Sequence, residues 1–67
     1  MRRELDNMTI MEIAKIKTKK ETYYIYKYIL NSKVQYEVYA KGKDKIEYYC
    51  DSFDFYKDAL SYVITFI

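Results

Sequence analysis

The residues around the dipeptide Asn31-Ser32 constrain the fold more than any other part of the chain. In "TYYIYKYILNSKVQYEVYAK" the side chains alternate with a period of two on both sides of a two-residue break, the pattern of a β-hairpin closed by a tight turn. With Asn31 and Ser32 in the turn, Ile29 stands opposite Val34, Lys27 opposite Tyr36, Ile25 opposite Val38 and Tyr23 opposite Ala40, which makes one face apolar. The other face carries Thr22, Tyr24, Tyr26, Tyr28 and Leu30 against Lys41, Tyr39, Glu37, Gln35 and Lys33. A slip of one residue would exchange the two faces, so this register is a specific expectation.

Two β-prone runs extend the ladder, "MTIMEIAKIK" before it and "KIEYYC" after it, joined by "TKKE" and by a loop centred on Gly42. With "TKKE" as the first turn, Ile16 falls beside Tyr23, Ala14 beside Ile25, Glu12 beside Lys27 and Ile10 beside Ile29. The two charges on the apolar face then meet with opposite sign. On the far side Ile46 continues from Ala40, Tyr48 from Val38 and Cys50 from Tyr36. The result is a four-stranded antiparallel meander.

After Cys50 the period changes. "DSFDFYKDALSYVITFI" offers Ser52 as an N-cap and Asp54 in the first turn, where a carboxylate favours the helix dipole. Asp54, Asp58, Ser61 and Thr65 group on one narrow face of the helical wheel. The apolar arc that remains is wider than the ~100° stripe a single sheet contact needs. The β-branched and aromatic "SYVITFI" would also suit a fifth strand, but the capping residues and the period favour a helix. The expected fold is α+β: a single ββββα domain over residues 8–67, its C-terminal helix packed on one face of the sheet. A flexible arm of residues 1–7 precedes it.

A chain of 67 residues buries only about 60% of its unfolded surface, so its core needs support. With one cysteine and no histidine, neither an internal disulfide nor an ordinary zinc site is available. Self-association is what is left. The surplus arc supplies Phe55, Tyr62, Val63, Phe66 and Ile67 for a homo-oligomer interface, as a dimer or a dimer of dimers.

The same absences weigh against enzymes. Without histidine there is no Ser/His/Asp or Cys/His arrangement, and a single glycine makes no phosphate loop; no cofactor is expected. Asp51, Asp54 and Asp58 are weak magnesium candidates for DNA nicking, set against the simpler role of carboxylates at a helix start. Cys50 reads as a small buried hydrophobe. No leader pattern and no apolar run approaching the roughly 18 residues of a membrane span is visible, which points to the cytoplasm of a bacterial host. Lysine, isoleucine and tyrosine, the products of A/T-rich codons, dominate, which suggests an A/T-rich bacterium, a phage or a mobile element.

The tyrosine face is the functional candidate. Tyr24, Tyr26, Tyr28, Tyr39 and Tyr49 interleave there with Lys15, Lys17, Lys33, Lys41 and Lys45. Rings that stack on unpaired bases beside ammonium groups that answer phosphates make a single-stranded nucleic-acid platform, with stacking worth about 1–3 kcal/mol per base. Tyrosine also favours protein interfaces, and it forms strands well on a plain solvated face. Glu37, Glu47 and a net charge of only +2 count against the first of these three readings.

Four strands followed by one helix, from "MTIMEIAKIK" through "YVITFI", resemble the positive-cofactor-like single-stranded DNA-binding modules of transcriptional coactivators. The resemblance is one of element order, with no motif residue shared. It implies a helix-mediated dimer whose curved sheets grip unpaired DNA. In style, a tiny tyrosine- and lysine-rich chain is also similar to phage-encoded anti-defence proteins, including anti-CRISPR proteins. That likeness implies a protein-directed inhibitor of a host nuclease as the alternative function.

Overall fold

The computed structural model describes residues 8–67; the arm expected at residues 1–7 lies outside the described residues. Strands β1 (Met8–Lys17), β2 (Thr22–Leu30), β3 (Lys33–Lys41) and β4 (Glu47–Phe53) form one antiparallel sheet in the order β1-β2-β3-β4, and helix α1 (Tyr56–Ile64) follows. The architecture is α+β, a four-stranded meander with a single C-terminal helix packed on it.

The central hairpin keeps the expected register at every pair, from Thr22 opposite Lys41 to Leu30 opposite Lys33. Asn31 and Ser32 both adopt positive φ, 50° and 68°, as a two-residue turn that matches strand twist requires. Ile25 and Val38, directly opposite each other, are both 0% exposed. They anchor a core with Tyr23, Ala40, Ala59 and Val63, flanked by Ala14, Ile16, Tyr36, Cys50, Phe53, Leu60 and Tyr62.

Both outer strands depart from unbroken alternation. In β1 the pairs at the turn end hold, Ile16 with Tyr23 and Ala14 with Ile25, but the register then shifts so that Glu12 faces Tyr26 and Met11 faces Lys27. Ile13 is the extra residue of a β-bulge. The expected Glu12–Lys27 pair is thereby replaced, and Ile10 stands opposite Tyr28 rather than Ile29. In β4 the register is two residues out from the loop onward, with Tyr48 rather than Ile46 opposite Ala40. After a further shift at Cys50, Asp51 rather than Tyr48 pairs with Val38 and Phe53 rather than Cys50 pairs with Tyr36. Each bulge sends the rest of its strand to the other face, as one inserted residue must.

The helix begins later than its capping residues suggest. Ser52 pairs with Glu37 inside β4, Phe55 is the N-cap without a side-chain cap, and Asp58 rather than Asp54 is the acid of the first turn. Strand pairing took the residues that would otherwise have capped the helix. Ala59 and Val63, one turn apart, are the buried pair of α1, and aromatic contacts frame them. Phe66 stacks on Tyr23 at 5.4 Å, Tyr62 packs on Phe53 at 5.5 Å and Tyr56 on Tyr36 at 5.9 Å. A nine-residue helix spans roughly 14 Å, against roughly 30 Å for the nine-residue β2. It therefore covers the half of the sheet nearer Tyr23 and leaves Val34 and Met11 exposed beyond it. No helix among the described residues is long and apolar enough to cross a membrane.

Candidate nucleic-acid interface

The face of the sheet opposite α1 gathers most of the expected tyrosines into one contact chain. Because residues i and i+2 of a strand share a face, Tyr24 and Tyr26 on β2 lie side by side, with ring centroids 6.3 Å apart. Tyr26 meets Tyr39 of β3 edge to face at 5.4 Å, and Tyr39 meets Tyr49 of β4 at 5.6 Å. The chain thus crosses three strands. Tyr28 joins it at the rim of a shallow concavity shared with Ile10, Tyr26, Glu37, Tyr39 and Glu47. Tyr49 is the most open of these rings, 56% exposed.

Charge is distributed unevenly across this surface. The ammonium groups of Lys15 and Lys41 sit over Tyr24, 5.9 and 5.4 Å from its centroid, a cation–π arrangement. Lys17 lies at the same end, opposite Thr22, which in turn faces Lys41. Lys33 is at the other end, beside the hairpin turn, and Lys45 belongs to the β3–β4 loop with φ of 64°. The glutamates occupy the middle. Tyr26 donates its hydroxyl to Glu47 at 2.9 Å and Tyr39 donates to Glu37 at 3.0 Å. Lys41 pairs with Glu47 at 4.0 Å. Burial first, and then the Glu47 carboxylate, pushes the Tyr26 phenol up to about 12; burial followed by Glu37 also raises Tyr39. Both rings stay neutral donors through the physiological range.

The β1 bulge adds two residues that unbroken alternation hides. Glu12 and Ile10 pair with Tyr26 and Tyr28 and so belong to the tyrosine face. Three lysines of the connecting segments are the other omission: Lys19 and Lys20 in the β1–β2 turn and Lys43 in the β3–β4 loop. Adjacency of the first and third turns of a meander is the signal that could have found them.

The remaining candidates separate. Among the expected interface residues, Val63 is enclosed in the chain's own core, while Tyr62 and Phe66 are engaged with Phe53 and Tyr23. Phe55 and Ile67 stay open at 62% and 75%, and Ile64 joins them as an exposed apolar residue of α1. Asp51 lies in β4, Asp54 in the link and Asp58 in α1. No group of three potential metal ligands forms among the described residues. Burial raises the Cys50 thiol, in keeping with its packing against the core.

Compared with protein-family models, with curated proteins and with solved structures, the chain matches none of them.

Proposed function

We propose that the bare face of the sheet is a cytoplasmic nucleic-acid-binding surface, with single-stranded DNA as its preferred ligand. Tyr28, Tyr39 and Tyr49 offer rings to unpaired bases, and Lys15, Lys17 and Lys41 answer the phosphates. The observation that carries this reading is the run of touching rings from Tyr24 to Tyr49 with two ammonium groups at its Tyr24 end. Rings braced edge to face hold their rotamers before a ligand arrives, so less side-chain freedom is lost on stacking. Tyr24, already taken up by Lys15 and Lys41, orients the cations rather than serving as a base platform. Titration of a labelled single strand at rising ionic strength tests the reading. A steep loss of affinity is expected, and absence of binding at low salt removes it.

Glu12, Glu37 and Glu47 among the same tyrosines favour a second reading, a protein partner such as a host nuclease held by a tyrosine hot spot. Under it, a complex with the nuclease forms while free single strands are ignored. In either case a second copy of the chain covers Phe55, Ile64 and Ile67, the most exposed of the apolar residues in and around α1.

A further inference from the structure

One end of the sheet concentrates positive charge, and Lys19, Lys20 and Lys43 there lie outside the tyrosine face. The first and third connections of a meander emerge at the same end. Here the β1–β2 turn and the β3–β4 loop approach so that Lys17, Lys19, Lys20, Lys41 and Lys43 line one concavity of about 160 Å³ together with Glu21.

Both connections are stiffened by their own hydrogen bonds. Thr18 donates its amide and its hydroxyl to the Glu21 carbonyl, each at 2.8 Å, and its Oγ1 accepts the Glu21 amide at 3.1 Å. This fixes Lys19 and Lys20 at the apex. In the other loop the Lys45 amide donates to the Gly42 carbonyl at 3.1 Å, and the Asp44 carboxylate accepts the Ile46 amide and the Tyr48 hydroxyl. The Glu21 carboxylate accepts the Tyr23 hydroxyl at 2.6 Å. Glu21 and Asp44 thus brace backbone and tyrosines, and Glu47 is held by Tyr26 and Lys41. Lys17, Lys19, Lys20 and Lys43 line the hollow with Lys41, whose ammonium sits over Tyr24 at its edge. Like charges gathered in a concavity repel one another and focus a field that draws in anions.

We infer that this cleft is a phosphate-binding site whose ligand is the sugar-phosphate backbone of a strand running off the tyrosine face. The inference rests on reading that face as a nucleic-acid surface. Continuity between the two supports a strand as the occupant: Lys41 lines the cleft and also sits over Tyr24, and Lys17 neighbours it through Thr22. A strand whose bases lie on Tyr39 and Tyr49 would carry its phosphates past Lys15 and Lys41 into the hollow between Lys19, Lys20 and Lys43.

The experiment compares the wild-type chain, the triple variant Lys19→Gln/Lys20→Gln/Lys43→Gln and Tyr49→Ala. Binding of a fluorescent oligothymidylate is followed over a range of salt, with inorganic polyphosphate and phosphatidylglycerol vesicles as separate probes. All three lysines are exposed, and thermal melts check that the variants stay folded. The triple variant is expected to weaken binding and to reduce the slope of log affinity against log salt by about 2, the loss of three single-strand phosphate contacts. Tyr49→Ala should weaken binding with the slope kept. A triple variant with the wild-type slope overturns the cleft assignment and leaves the tyrosine-face reading standing. Wild-type protein that ignores the oligonucleotide yet binds polyphosphate or vesicles through these lysines overturns the strand as ligand, and the tyrosine-face reading with it.

Discussion

Tyr26 on β2 reaches across β3 to donate its hydroxyl to Glu47 on β4, 2.9 Å away. The bond ties two strands that share no ladder, and it raises the phenol from its ordinary 10.0 to about 12, behind the larger effect of burial. Glu47→Gln should therefore bring Tyr26 only part of the way back, because burial persists. The sign for stability follows by linkage. Below pH 10 both states hold the proton; between 10 and 12 the unfolded chain releases it first, so this site's contribution declines as pH rises through that window. Tyrosinate absorbance through an alkaline titration measures the shift, and identical curves for wild type and Glu47→Gln would refute it.

The sheet's two faces should respond differently to truncation. Ile25→Ala removes a side chain with no exposed surface and should cost about 3 kcal/mol. That is comparable to the roughly 3–5 kcal/mol a single small core supplies, so the variant should be largely unfolded at room temperature. Tyr49→Ala loses one edge contact with Tyr39 and should cost about 1 kcal/mol or less. Chemical denaturation of the two variants checks the contrast.

Ser32 holds φ of 68° in the hairpin turn, a region that disfavours any side chain. Ser32→Gly turns Asn31-Ser32 into the dipeptide best suited to such a turn. It should add about 0.5–1 kcal/mol and raise Tm by roughly 3–6 °C. A lower Tm by calorimetry would contradict the turn assignment.

Phe55 before the helix, Ile64 in its last turn and Ile67 after it are the most exposed apolar residues of this segment. If a second copy covers them, Phe55→Asp with Ile64→Asp should turn the sedimenting species into a monomer and make stability independent of protein concentration. A wild-type chain that sediments as a monomer at all concentrations would rule this out.

The central hairpin was legible pair by pair because a two-residue turn leaves no freedom in its register. The first outer strand was legible only as far as its bulge, and β4 was two residues out of register from its first pairs, because the β3–β4 loop is longer than a turn centred on Gly42 implies. Ile13 and Cys50 carry no glycine or other mark of an inserted residue, and either would be an ordinary member of a continuous strand. The bulge at Ile13 turned an anticipated Glu12–Lys27 pair into a glutamate on the tyrosine face. Ser52 and Asp54 had the chemistry of a helix start, but Ser52 was claimed by pairing with Glu37, a contact between distant residues that local propensity does not see. Lys19, Lys20 and Lys43 lie in connections with no local mark of a site, although the meander itself dictates that their two loops emerge at one end.

The residues out of step at Ile13 and Cys50 fall on the two outermost strands, one on each. A polypeptide so rich in tyrosine and isoleucine, free of proline and nearly neutral, has the makeup of a fibril former. Straight rims would give identical molecules a template for endless lateral growth. Kinked ones interrupt the row of backbone donors and acceptors midway, so the same irregularity that re-aims Glu12 also keeps neighbouring molecules from zipping together.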